Sequence, residues 1–137
     1  MKKFIIIGII IGVLLVISIV IINVNSIEKI YVQKDNSYFY DFSVENNKVY
    51  IKCSITLKNT YKTDKTVRLF ANMNDDVNSG LLKQAQIYAL NEDGTKSIFT
   101  IKGNSKQTYD VIFVGDYAGT NKKHDRLLPD IKIEIIS

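Results

Sequence analysis

The side chains able to do chemistry are few and far apart. The chain of 137 residues has one histidine, His124, and one cysteine, Cys53. His124 lies in Asn121-Lys-Lys-His-Asp-Arg126, where Asp125 beside it makes half of an acid–base pair. Adjacent residues seldom face each other productively, and a catalytic triad is defined by geometry rather than by neighbours in sequence. A solvated loop histidine is therefore expected. One Cys and one His cannot build a structural zinc site, and a single Cys cannot close an internal disulfide. Asn72–Gly80 gathers oxygen donors, with Asn74, Asp75, Asp76 and Asn78 as candidate ligands for a hard cation such as calcium. The EF-hand pattern is absent: Val77 stands where the loop glycine belongs, and Lys83 where the closing glutamate belongs. The expectation is no catalytic residue, no resident metal and no cofactor. A cation- or ligand-binding sensor using the 72–80 loop is the alternative.

Lysines form the other constellation. Lys58, Lys62, Lys65 and Arg68 surround Thr60 and Tyr61, and Lys122, Lys123 and Arg126 form a second group. Lys58, Tyr61, Lys62 and Lys65 are the candidate interaction surface, suited to anionic headgroups or wall polymers. The competing reading is a solvated strand connection, since charges at strand ends commonly serve solubility. Tyr31, Tyr38, Phe39, Tyr40, Phe42, Tyr50 and Tyr61 supply aromatic surface, of which alternation can bury only part, so an exposed tyrosine patch suited to a protein interface is a further expectation. The net charge of +4 is modest and the acids and bases are interspersed, which argues against nucleic-acid binding.

These groups must be positioned by whatever follows Phe4–Ile22, an apolar run without a charge. About 19 residues at 1.5 Å each give a helix of roughly 28 Å, close to the hydrocarbon thickness of a bilayer. Lys2 and Lys3 precede the run and no basic residue follows it until Lys29, which places the amino terminus in the cytoplasm and the rest outside. The expected organisation is 1–3 cytoplasmic, 4–22 transmembrane helix, 23–27 linker and 28–137 extracytoplasmic domain. Cleavage after Ser26, giving a secreted protein, is the alternative, although the run exceeds a usual signal-peptide core. Gly8 and Gly12 are four apart and lie on one helix face, a small-xxx-small pattern through which the anchor could form a homodimer.

Beyond the run the dominant period is two. Val49, Ile51, Cys53, Ile55 and Leu57 alternate with polar residues, as do Val67, Leu69, Ala71 and Met73. Ile131, Ile133 and Ile135 repeat the pattern in a last strand that Pro129 introduces. Cys53 shares the apolar face and is expected to pack as a small hydrophobe. Turns are expected at Asp35-Asn36, Glu45–Lys48, Asn91–Gly94 and Gly103–Ser105, and one helical turn within Ser79–Gln86. Seven to eight strands at regular spacing predict an all-β fold, an antiparallel immunoglobulin-like β-sandwich.

Ser54-Ile-Thr-Leu-Lys-Asn-Thr60, then Asn91-Glu-Asp-Gly94, Gly103-Asn-Ser105 and Val111-Ile-Phe113, resemble the corresponding segments of bacterial membrane-anchored, immunoglobulin-like (telokin-like) exported domains. The resemblance spans Lys48–Val114. It implies attachment to the cell envelope and a binding or adhesive role, and it carries no catalytic residues over. The expected function is thus a non-catalytic interaction module whose partner is an envelope protein or wall component.

Overall fold

The computed structural model describes residues 9–11, 13, 27–120 and 126–137. The expected anchor, its glycines Gly8 and Gly12, and the cleavage position at Ser26 fall wholly or largely outside these residues, as do Lys122, Lys123 and His124. Ile9, Ile10, Ile11 and Val13 have helical backbone and exposed side chains. Among the described residues no helix is long and apolar enough to cross a membrane.

Among the described residues, eight strands form one antiparallel sheet: β1 (Ile30–Val32), β2 (Tyr38–Glu45), β3 (Lys48–Asn59), β4 (Lys65–Asn72), β5 (Gln86–Asn91), β6 (Phe99–Ile101), β7 (Lys106–Asp116) and β8 (Asp130–Ile135). The alternation read along β3 is the alternation of burial: Val49, Cys53, Ile55 and Leu57 have no exposed surface and Ile51 almost none. Each such side chain contributes about 1.5–3 kcal/mol by leaving water. Val67, Leu69 and Ala71 of β4 face them with equally complete burial. The sheet brings these faces together by curling. β5 pairs with β4 through Phe70↔Tyr88, then changes partner and pairs with β7 through Ala89↔Phe113. One limb is therefore β1/β2, β3 and β7, the other β4, β6 and β8, with the core between them.

Along β3, the pairs Val32↔Leu57 and Tyr38↔Ser54 lie on the same edge, so β1 and β2 are one edge strand interrupted by a 3-10 turn at Lys34–Asn36. The interruption explains one departure from simple alternation. Ser54 and Thr56 occupy outward positions yet are buried. The turn packs on Thr56, whose N–H donates to Ser37 Oγ at 2.9 Å while its hydroxyl donates to the Asn36 carbonyl at 2.9 Å. The Glu45–Lys48 hairpin has Asn46 and Asn47 at positive φ, the left-handed pair a two-residue turn demands. The expected helical turn is displaced: it forms at Asn74–Asn78 instead of within Ser79–Gln86. Asn72 Oδ1 accepts the Asn74 N–H and starts the helix one turn earlier. In β8 only Ile131 and Ile133 pack on the core; Ile135 is exposed.

Cys53 lies at the centre of this core, and burial pushes its thiol up to about 12. In the unfolded chain the thiol ionises near pH ~8.5. The folded protein then holds the proton that the unfolded one releases, so this contribution to stability falls as pH rises above about 8.5. Two outcomes are expected. Ellman's reagent leaves Cys53 untouched in the native state and reacts at the rate of unfolding; Cys53→Ala flattens the alkaline decline in denaturation midpoint. Immediate labelling of native protein would contradict this burial.

Candidate interaction surface

The inward face of β3 does not stop at Leu57. Position 59 has the same parity, and Asn59 is fully buried. A buried amide is costly unless its hydrogen bonds are made. Asn59 Nδ2 donates to the carbonyls of Thr63 (3.1 Å), Ile101 (3.1 Å) and Lys102 (3.2 Å), and Oδ1 accepts the Tyr61 N–H at 2.8 Å. Its backbone N–H reaches the Ser105 carbonyl at 2.9 Å. Thr60 binds the entering chain: its hydroxyl accepts the Lys29 N–H at 2.7 Å and donates to the Lys29 carbonyl, which its N–H also reaches at 2.9 Å.

A third tie closes the arrangement. Gly103 runs so close to the 62–63 backbone that a Cβ there would stand 2.3 Å from the Lys62 carbonyl oxygen. Its N–H donates to Asp64 Oδ1 at 2.9 Å. Three segments remote in sequence, 27–30, 60–65 and 102–106, thus form one end of the sheet.

That end carries Lys29, Lys58, Lys62, Lys65, Lys102 and Lys106. Lys58 sits in register with Tyr31 on one side and Lys106 on the other. The Lys29 ammonium lies 5.2 Å from the Tyr31 ring centroid and that of Lys65 lies 5.1 Å from Tyr61. Among the described residues, none of the six makes an ion pair, whereas Lys48, Lys52, Arg68, Arg126 and Lys132, all elsewhere, each do. The structure therefore gathers the candidates Lys58, Tyr61, Lys62 and Lys65 and adds three lysines. It removes Arg68, which turns to Glu134 at 3.8 Å and to the face of Tyr88. Lys29, Lys102 and Lys106 escape a linear reading because only strand register makes them neighbours. Asn59 was detectable, since it continues the odd-numbered inward set of β3.

The oxygen-rich segment is organised differently. Asp76 pairs with Arg126 at 2.9 Å, with both side chains mostly covered, and its backbone carbonyl accepts the N–H groups of Leu81 and Leu82. Arg126 also lies 4.3 Å from the Phe42 ring centroid, joining the segment before β8 to β2. Asn74 and Asn78 open and close the short helix, with Asp75 exposed. Among the described residues no cluster of three or more His, Cys, Asp or Glu is placed to hold a metal ion. Beside Arg126, between β1/β2 and β8, a cavity of about 500 Å³ is lined by Val32, Phe39, Leu128 and Ile131, with Lys34 and Asp130 at its margin. Tyr38 and Tyr40 stack edge to face on β2, ring centroids 6.3 Å apart, and are exposed.

At the opposite end of β3, Asp116 accepts from Lys48 and Gln84, and these partners hold its carboxyl below the usual range. Compared with protein-family models, curated proteins and solved structures, the chain matches none.

The Asn59 amide is expected to govern this end. Asn59→Ala removes the side-chain donor to the Thr63 and Ile101 carbonyls and the acceptor of the Tyr61 N–H, while the Lys102 carbonyl keeps the Ser105 hydroxyl, which predicts a loss of about 3 kcal/mol in urea denaturation. Thr63→Ala, which changes only an exposed side chain, should stay within about 0.5 kcal/mol of wild type. Equal stability of the Asn59 variant would mean that the amide is not the tie it is taken to be.

Proposed function

We propose that this protein is a non-catalytic interaction module of a bacterial cell envelope, held in the membrane by residues 4–22 with its sheet domain on the extracytoplasmic side. The observation that carries the reading is where the chain enters the domain. Lys29 is fastened to Thr60, so the chain arriving from the apolar run meets the sheet at the lysine-bearing end. Only residues 23–26 intervene between that run and Ile27, and this stretch spans no more than about 18 Å even when extended. The domain is then presented close to the membrane with a fixed end down. Lys58, Tyr61, Lys62 and Lys65 form its interaction surface. The alternating burial of two facing limbs supports an immunoglobulin-like sandwich as the finer fold class.

In membranes of expressing bacteria, the full-length chain is expected to resist carbonate extraction at high pH. External protease should digest the sheet domain of spheroplasts. Release of a fragment beginning at Ile27 into the medium would establish cleavage after Ser26 and overturn the anchored reading.

A further inference from the structure

We infer that the lysine-bearing end is a footprint for an anionic lipid surface, namely the headgroups of the membrane in which residues 4–22 are held; for its geometry this rests on the anchored reading above. Four observations converge on it. First, the charge is segregated. The ion pairs of the described residues all lie away from this end; its six lysines make none, whereas elsewhere the unpaired lysines, Lys34, Lys83 and Lys96, are scattered. Of the nearby acids, Glu28 is exposed on the entering chain and Asp64 is committed to the Gly103 N–H. A surface tuned for solubility alone mixes both signs.

Second, the amines are set on a rigid base. Asn59, Thr60 and Gly103 lock the three segments that carry them, so little ordering remains to be done on binding. Third, Tyr31 and Tyr61 lie under Lys29 and Lys65. An amphipathic ring beside an amine matches the polar–apolar boundary of a bilayer. Fourth, the tether from the apolar run to Lys29 spans no more than about 25 Å, so headgroup contact within the Debye length of ~8 Å lies inside its reach. Lipid headgroups are consequently present at high effective concentration, whereas a wall polymer or a protein must insert between domain and membrane.

The test uses full-length protein in vesicles of phosphatidylcholine, alone or mixed with phosphatidylglycerol, with a quencher on lipid headgroups. A fluorophore at Thr63→Cys reports the lysine-bearing end and one at Lys83→Cys the opposite end; buried Cys53 does not compete for label. Quenching at Thr63→Cys is expected to rise with phosphatidylglycerol and to fall with salt, while Lys83→Cys stays bright. Each lysine near such a surface is worth about fivefold in occupancy, so replacing Lys62, Lys102 and Lys106 by Gln should reduce the docked population by more than tenfold. Circular dichroism melts check that this variant remains folded.

Equal quenching on both vesicle types, or no response to the Gln variant, overturns the footprint. Release of the domain by soluble poly(glycerol phosphate) at matched ionic strength, with no preference between vesicle types, assigns the surface to a polymer and overturns it as well. If carbonate extracts the chain from phosphatidylcholine vesicles but it still floats with phosphatidylglycerol vesicles, the anchored reading fails and the footprint stands.

Discussion

The inward face of β3 ends in an amide, and that constraint organises the domain. Five apolar side chains precede Asn59 on the same face, all withdrawn from water. A sixth hydrophobe would have extended the core to the end of the sheet and left the carbonyls of Thr63, Ile101 and Lys102 without these donors. The amide instead turns the close of the core into a set of directed bonds. Hydrophobic packing is non-directional; hydrogen bonds specify which loop lies where. Hence the crossing from β3 to β4 and the turn from β6 to β7 meet at one place, and the chain entering at Lys29 is fastened beside them.

The charge distribution follows from this placement. Most ion pairs here are exposed and contribute little to stability; their consequence is to neutralise. Lys52 with Asp41, Lys48 with Asp116 and Arg68 with Glu134 cancel charge along the body of the sheet. Arg126 with Asp76 is more covered and packs on Phe42, so it acts as a strut between the short helix and β2. At the end organised by Asn59 the six lysines make no ion pair and outnumber the two nearby acids, Glu28 and Asp64. A modest net charge is thereby compatible with a strong local field, which is why overall charge says little about what this surface attracts.

Much of the fold was legible in the sequence because period two is a direct imprint of one-sided burial. β2, β3, β4, β7 and β8 lie where alternation or turn residues put them. β1 and β6 are only three residues each, since β1 shares an edge of β3 with β2, and β6 shares an edge of β4 with β5. The helical turn forms at Asn74–Asn78, just after the Asn72 side chain accepts the Asn74 N–H, a local bond that no periodicity reveals. Thr56 reads as solvent-facing and is buried, because a covering turn belongs to a segment 20 residues away. The candidate surface was half legible: Lys58, Lys62 and Lys65 cluster in sequence, whereas Lys29, Lys102 and Lys106 join them only through pairing across β1, β3 and β7.

The two ends of β3 consequently have different physics. At one, a buried amide fixes loops that carry more lysines than acids. At the other, Asp116 gathers Lys48 and Gln84 and the charges close on themselves. Between them run about a dozen residues, or roughly 40 Å of strand. With an effective screening distance near ~8 Å, a field set up at one end does not reach the other. The electrostatics of the lysine-bearing end are therefore independent of those at the far end of β3. That independence depends on Asn59 keeping the basic loops at the end where the chain enters the sheet.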